Sequence, residues 1–141
     1  MRILGLDYGE KRIGVAICDE LGFTAQGLPT IIRKTKKHDL EILKKLIADY
    51  KVEKIVIGYP IRLDGSEGIQ CEKVNRYKAL LEKTFCLPVI KWQETLSTKD
   101  AEEILINSGM RWDKRKKMVD KLAACIILQN YLDNADKSIS N

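Results

Sequence analysis

Residues 1–18, MRILGLDYGEKRIGVAIC, contain two short apolar runs on either side of a mostly polar turn. The first run covers residues 3–6, the second covers residues 13–17, and the turn between them is Asp7–Arg12. Apolar runs of this length, bounded by glycine and charge, are typical of strands. The stretch therefore predicts a β-hairpin with Asp7 at the end of its first strand.

Among the residues of this hairpin, Asp7 is the one whose presence strand formation explains least. Aspartate is disfavoured in strands, so the fold gains little from it there. A carboxylate at a strand end, close to Gly9, can face a hard cation or a phosphate with little steric interference. It can equally satisfy the backbone of the turn. The hairpin alone leaves both interpretations open.

The composition indicates one folded domain. The chain has 141 residues, of which 45% are hydrophobic and 32% charged, and we expect a single domain over residues 1–133 with a polar tail over residues 134–141. No apolar run approaches the roughly 20 residues that span a bilayer. Four scattered cysteines and one histidine favour neither a zinc site nor a disulfide framework. We expect a cytoplasmic protein that does not bind membranes.

Positive charge is concentrated in two places. The formal net charge is +5, and the clusters are residues 33–37 and residues 114–117, the latter preceded by Arg111 and Trp112. Such clusters favour a polyanionic partner, because each cation that meets a phosphate releases counterions. Ordinary solvated loops are the alternative. We expect the stretch 111–117 to be a mobile loop that closes over phosphates, assisted by Arg12.

The rest of the chain alternates between strand-like and helix-like patterns. A third strand after the hairpin would complete an antiparallel meander, and a later strand would run parallel to the first. The order predicts a mixed sheet with helices on its faces. The predicted elements are strands near 28–32, 54–58 and 88–92, and helices over 40–50 (with Asp39 as N-cap), around 74–81, from Ser97 to Gly109, and over 118–132.

Two further acids lie where a packed core does not favour them. Glu94 follows the strand near 88–92, at the end where open α/β sheets bind ligands. Asp120 lies in the most apolar helix and shares a face with Ala123 and Ala124. Considered one at a time, Glu94 can be a solvated charge at the rim of the sheet, and Asp120 can pair with a nearby lysine. Together with Asp7 they better fit a Mg²⁺ site, in which two ions roughly 4 Å apart activate water for phosphodiester hydrolysis.

Four segments of the chain resemble the signature blocks of one protein family. They are LGLDYGEKRIGVAICD, GYPIRLDGSEGIQCEKV, QETLSTKDAEEIL and KRKKMVDKLAACIILQNYL, in this order over about residues 1–132. The chain resembles the YqgF-type pre-16S rRNA nucleases, also described as Holliday-junction resolvases. The resemblance implies an α/β, RNase H-like (RuvC-like) fold with a mixed five-stranded sheet flanked by helices. It also implies a Mg²⁺- or Mn²⁺-dependent endonuclease that processes the 5′ end of 16S rRNA.

The resemblance assigns roles to particular positions. Asp7, Glu94 and Asp120 match the catalytic, metal-binding acids of the family. Gly58, Pro60, Asp64 and Gly65 fall in its second loop block and are expected to bind substrate. To these we add, on the ground of their charge, the cations Arg12, Arg111, Lys114, Arg115, Lys116 and Lys117. One departure is visible: the family usually has Asp-Glu-Arg where this chain has Gln93-Glu94-Thr95. The change removes an auxiliary carboxylate and a cation able to contact phosphate.

Several functions remain open at this point. A Holliday-junction resolvase would use the same chemistry, and its two symmetric cuts would favour a dimer. A non-catalytic RNA-binding module of the same fold is a second alternative. A nucleotide-dependent phosphotransferase is a third, although such proteins close two domains over their nucleotide. The expected partners are structured or precursor rRNA, ribosomal particles or branched DNA, and the expected state is a monomer or weak dimer.

Overall fold

The computed structural model describes residues 2–61, 65–93 and 112–139, together with residues 103, 106, 107 and 109. Within 112–139, the side chains of residues 112–117, 120 and 135–139 lie outside the description. In this part of the chain no helix combines the length and apolar content needed to cross a membrane. In chain order, the elements are β1 (Arg2–Tyr8), β2 (Arg12–Cys18), β3 (Ala25–Ile32), α1 (Lys36–Tyr50), β4 (Val52–Tyr59), α2 (Ile69–Phe85), β5 (Val89–Gln93) and α3 (Trp112–Ile139).

The five strands form one mixed sheet in the order β3-β2-β1-β4-β5. β2 pairs antiparallel with both β1 and β3, which confirms the predicted meander. β4 pairs parallel with β1, and β5 pairs parallel with β4. The carboxyl ends of β1, β4 and β5 therefore meet at one edge of the sheet, and Asp7 lies at this edge.

The sheet separates two layers of core. Leu4 and Leu6 of β1 pack in the cluster that α1 and α2 cover. Ile3, on the other face, packs in the cluster that includes Ala124 and Leu128 of α3. Because side chains alternate along a strand, Asp7 shares the face of Ile3 and Gly5 and is directed towards the α3 layer.

The start of α1 differs from the prediction. Asp39 was expected as the N-cap, but Thr35 holds that position and its Oγ1 accepts a hydrogen bond from the His38 N–H at 3.1 Å. Asp39 lies inside the first turn and is only 2% exposed. The predicted cap was wrong because the Asp39 carboxylate turns back to the segment before α1, where it accepts from the Lys34 N–H and pairs with Arg33.

The last helix is longer than predicted at both ends. It runs from Trp112 to Ile139, so residues 112–117 form its first turns and the expected mobile loop there is wrong. Lysine and arginine are good helix formers, and no glycine or proline follows Gly109 to interrupt the helix. The helix also continues through residues 134–139, the expected tail, because that polar segment contains no helix-breaking residue.

The helix predicted from Ser97 to Gly109 lies mostly outside the described residues. Glu103, Ile106 and Asn107 have helical backbone. Gly109 has a positive φ of 76°, and its N–H donates to the Ile106 carbonyl at 3.0 Å. A glycine in this conformation is typical of the end of a helix.

Candidate active site

Asp7 lies near the carboxyl end of β1 with its side chain half-buried. Its partner across the antiparallel pair is Gly14 of β2, which is buried and has no side chain. Gly14 therefore places no side chain directly opposite Asp7 in the β1–β2 pair. A half-buried carboxylate beside a glycine at a sheet edge fits the oxygen-donor chemistry that Mg²⁺ and Mn²⁺ require.

The other two predicted acids are described less completely. Glu94 lies outside the described residues and is next in sequence to Gln93, the last residue of β5. Position 120 is part of α3, but its side chain is also outside the description. Among the described residues, no group of three His, Cys, Asp or Glu side chains is placed to hold a metal. The site formed by Asp7, Glu94 and Asp120 remains a prediction.

The backbone of α3 nevertheless has a definite register on β1. The helix crosses the strand at Gly5, where Ala124 and Leu128 are its nearest residues. Asp7 is two residues further along the same face of β1, and position 120 is one helical turn before Ala124. Towards the other end of α3, the Tyr131 hydroxyl accepts a hydrogen bond from Lys54, which pairs with Ile3 near the start of β1. The helix therefore runs away from the Asp7 end of β1, and the turn that contains position 120 lies towards that end.

The hairpin after Asp7 is held tightly. The Gly9 N–H donates to the Arg12 carbonyl at 3.0 Å, and a β-carbon on Gly9 would lie 2.6 Å from that oxygen. Only glycine permits this close approach without a shift of the backbone. The hairpin therefore fixes the chain on the C-terminal side of Asp7.

Arg33 connects this hairpin to the rest of the fold. Its Nη1 donates to the Gly9 carbonyl at 2.9 Å, and its guanidinium lies 4.6 Å from the centroid of the Tyr8 ring. Arg33 also forms an ion pair with the buried Asp39 at 3.5 Å, and the Lys34 N–H donates to the same carboxylate at 3.2 Å. The sequence placed Arg33 in a cluster for binding polyanions, whereas these contacts give it a structural role beside the candidate site.

The second-block residues begin at the same sheet edge. Gly58 is buried near the end of β4 and pairs with Trp92 of β5. The carbonyl of Pro60 accepts a hydrogen bond from the Cys71 thiol at 3.2 Å, which attaches the loop to α2. Gly65 has φ of 84°, a conformation that favours glycine. Asp64 lies outside the described residues.

The predicted phosphate-contacting cations fall in two groups. Arg12 is the first residue of β2 and is half-buried. Residues 114–117 belong to the first turns of α3, with side chains outside the description, and Arg111 is outside it altogether. Sequence reasoning missed Arg33 and Asp39 as the residues that position the hairpin. No local pattern distinguishes them from solvated charges, because their partners lie in β1, the hairpin and the start of α1.

Comparison with known proteins identifies the family. The family described as "RuvX: Holliday junction resolvase" matches residues 1–134. The chain belongs to the RuvX family. It is 65% identical over 133 residues to a Syntrophus aciditrophicus protein named "Putative pre-16S rRNA nuclease", covering 94% of this chain and 89% of the relative. It is 52% identical over 137 residues to a Halothermothrix orenii protein of the same name, covering 97% and 98%.

Solved structures agree on the fold of this RuvX-family chain. A Fowlpox virus resolvase in complex with Holliday junction DNA superposes with a TM-score of 0.61 at 15% identity, covering 96% of this chain and 99% of that one. T. thermophilus RuvC in complex with a Holliday junction substrate gives 0.57 at 14% identity, covering 96% of each. These similarities confirm the predicted RNase H-like (RuvC-like) fold.

Proposed function

We propose that this RuvX-family protein is a metal-dependent endonuclease that processes the 5′ end of precursor 16S rRNA. Its family and its nuclease relatives make it a hydrolase of phosphodiester bonds. The observation that carries the proposal is Asp7, a half-buried carboxylate at the carboxyl end of the central strand of a RuvC-like sheet. Aspartate is disfavoured in strands, so strand propensity does not explain an acid at this position.

The proposed metal-binding residues are Asp7, Glu94 and Asp120. Support for the set comes from the parallel β1, β4 and β5, whose ends share one edge, and from the crossing of α3 over Gly5. Mg²⁺ or Mn²⁺ bound by these carboxylates supplies an activated water and stabilises the leaving oxygen. Within this site Asp7 contributes oxygen ligands from a rigid strand end, held by the Gly9 turn and by Arg33.

The proposed substrate contacts surround this edge. Arg12, Arg111 and residues 114–117 would bind phosphates, and Gly58, Pro60, Asp64 and Gly65 would shape the loop that the RNA passes. The cations at 114–117 lie in the first turns of α3, the end of a helix where negative charge is favoured. These cations therefore have no favourable interaction with the helix dipole, which supports a role in binding a polyanion.

The setting of this activity follows from the same proposal. An enzyme that trims precursor rRNA would act in the cytoplasm and meet its substrate within ribosomal particles. A single active site per chain suffices for one cut, so a monomer or weak dimer is adequate.

Resolution of four-way DNA junctions is a second candidate. It is favoured by the description of the family as a Holliday junction resolvase, and the two solved structures that share the fold were determined with Holliday junctions. Two symmetric cuts across a junction would require two copies of the active site, related by a twofold axis.

The experiment that tests the proposal compares both substrates. Purified protein is incubated with precursor 16S rRNA and with a four-way DNA junction, each with Mg²⁺, Mn²⁺ or a chelator. Metal-dependent cleavage of the RNA at its 5′ extension supports the proposal. Cleavage of the junction alone would replace it with the resolvase. Absence of cleavage on both substrates, with RNA still bound, would favour the non-catalytic module.

A further inference from the structure

A basic cavity lies on the other face of the sheet from Asp7. Its volume is about 250 Å³, and its lining residues are Tyr8, Lys36, Lys73, Arg76, Tyr77 and Leu80. Tyr8 follows Asp7 directly in β1, and neighbouring side chains on a strand point to opposite faces. The cavity therefore opens towards α1 and α2 at the same end of the strand as the candidate active site.

The cavity has an excess of positive charge. Lys73 forms an ion pair with Glu10 of the hairpin at 2.6 Å, which lowers the pKa of that carboxyl. Among the described residues, no acid forms an ion pair with Lys36 or Arg76, and both are exposed. α1 also begins at Lys36, so the positive end of that helix adds to the potential. Two cations remain available for an anion.

The aromatic residues of the cavity are not available for stacking on a base. One face of the Tyr8 ring stacks on Tyr77, with centroids 4.2 Å apart, and the guanidinium of Arg33 lies over Tyr8 at 4.6 Å. Tyr77 itself is only 5% exposed. Lys36, Lys73 and Arg76 therefore supply the groups of the cavity that can bind a ligand, and cations of this kind favour a compact anion over a planar ring.

We propose that this cavity binds a phosphate group of a nucleic-acid strand that passes around the end of β1 from the candidate active site. The inference rests on the proposed function, since it places a flanking phosphate of the same substrate. Arg76 and Lys36 contact the phosphate. Glu10 weakens phosphate binding, because its carboxylate neutralises the charge of Lys73. Free phosphate has the same charge chemistry and would occupy the same cavity more weakly.

Three single substitutions that remove one charge each test this arrangement. Binding of a labelled single-stranded RNA is measured by fluorescence anisotropy in chelator, so that cleavage does not interfere, over a range of salt concentrations. Arg76→Gln should weaken binding about 3- to 10-fold and lower the salt slope by about 0.7, the value for one phosphate contact on a single strand. Glu10→Gln should tighten binding, because it frees Lys73. Lys44→Gln removes an exposed charge of α1 outside the cavity and should leave the slope unchanged.

A titration with inorganic phosphate locates the ligand. Amide signals of residues 73–77 should shift with phosphate in the wild type and much less in Arg76→Gln, and phosphate should compete with the RNA. Equal effects of Arg76→Gln and Lys44→Gln on RNA binding, with no phosphate-dependent shifts at 73–77, would overturn the proposal. If the wild type cleaves precursor rRNA in that case, only the cavity assignment fails. If Arg76→Gln weakens binding but no cleavage occurs with metal, only the proposed nuclease function fails.

Discussion

Gly5 and Leu128 fix the position at which α3 crosses the central strand. A β-carbon on Gly5 would lie 2.8 Å from the Cβ atom of Leu128 and 3.4 Å from the Ala124 carbonyl oxygen. The first distance is too short for a side chain to be accommodated without displacement of the helix. Because Asp7 lies two residues beyond Gly5, this close approach also determines which turn of α3 lies near it.

Replacing Gly5 with alanine should destabilise the fold. The new methyl group meets the Cβ of Leu128, which is attached to the helix backbone and cannot rotate away. We expect the free energy of unfolding to fall by about 1–3 kcal/mol, the usual cost of overpacking, as measured by urea denaturation. Cleavage should fall as well, since the helix must move relative to Asp7.

Gly27→Ala provides the matched control for this substitution. A β-carbon there would lie 2.7 Å from Lys121, but from carbons of its flexible side chain rather than from backbone. The lysine can change rotamer, so Gly27→Ala should cost clearly less than Gly5→Ala. An equal or greater loss for Gly27→Ala would show that the crossing at Gly5 does not constrain the helix.

Asp7→Asn should separate function from stability. If Asp7, Glu94 and Asp120 repel one another in the metal-free protein, removal of one charge leaves the free energy of unfolding unchanged or raises it. Cleavage should be abolished. Thermal unfolding in chelator and a cleavage assay check both parts, and a clear loss of stability with activity retained would make Asp7 a structural residue.

Asp39→Ala is the contrasting variant of a buried acid. Asp39 accepts from the Lys34 N–H and pairs with Arg33, which itself holds the hairpin. We expect a loss of about 1–3 kcal/mol, because these donors lose a buried acceptor. A stability change no larger than that of Asp7→Asn would contradict the role assigned to this network.

The sequence correctly predicted the elements whose structure is determined by residues close together in the chain. The hairpin around Asp7, the parallel strand β4 and the buried face of α2 follow from runs and periodicities visible within a few residues. The cap of α1 was misplaced because Thr35 and Asp39 are both capping residue types, and only the contacts of Arg33 and Lys34 with Asp39 distinguish them. Those contacts join residues five and six positions apart, a spacing that the usual capping patterns do not include.

The candidate site shows the same division. Asp7 could be recognised because an acid at a strand end conflicts with strand propensity. The cavity formed by Lys36, Lys73 and Arg76 could not be recognised, because its residues come from separate elements and each resembles a solvated charge. The basic stretch before Asp120 has the charge pattern of a solvated loop, whereas lysine and arginine are compatible with the first turns of a helix.

Tyr77 should make the protein sensitive to alkaline pH. Burial, with Asp39 contributing in the same direction, raises the pKa of Tyr77, whereas an unfolded tyrosine ionises near pH 10. Above that pH the unfolded chain loses a proton that the folded protein keeps, so stability falls by about 1.4 kcal/mol per pH unit. The Tyr77→Phe variant should lack this loss of stability at high pH. The substitution removes only a hydroxyl that has no hydrogen-bond partner among the described residues. Urea denaturation at pH 9–11 measures the difference, and identical pH profiles would rule it out.

The cations at the start of α3 should serve binding rather than folding. Replacing Lys114, Arg115, Lys116 and Lys117 with alanine removes positive charge from the helix end that disfavours it, so stability should hold or rise. RNA binding should weaken. The number of phosphate contacts inferred from the salt dependence of binding should fall by up to about four. Residual cleavage is expected at high enzyme concentration. An unchanged slope would place the RNA elsewhere, along residues 34–37.

The most direct test of the central claim is Mn²⁺ binding and precursor-rRNA cleavage measured together for the wild type and for Asp7→Asn, Glu94→Gln and Asp120→Asn. If the three carboxylates form one metal site, each substitution weakens the same binding event and lowers the single-turnover cleavage rate by orders of magnitude. Each variant should also keep the circular dichroism of the wild type. Wild-type Mn²⁺ affinity and cleavage in any one of the three variants would contradict the account.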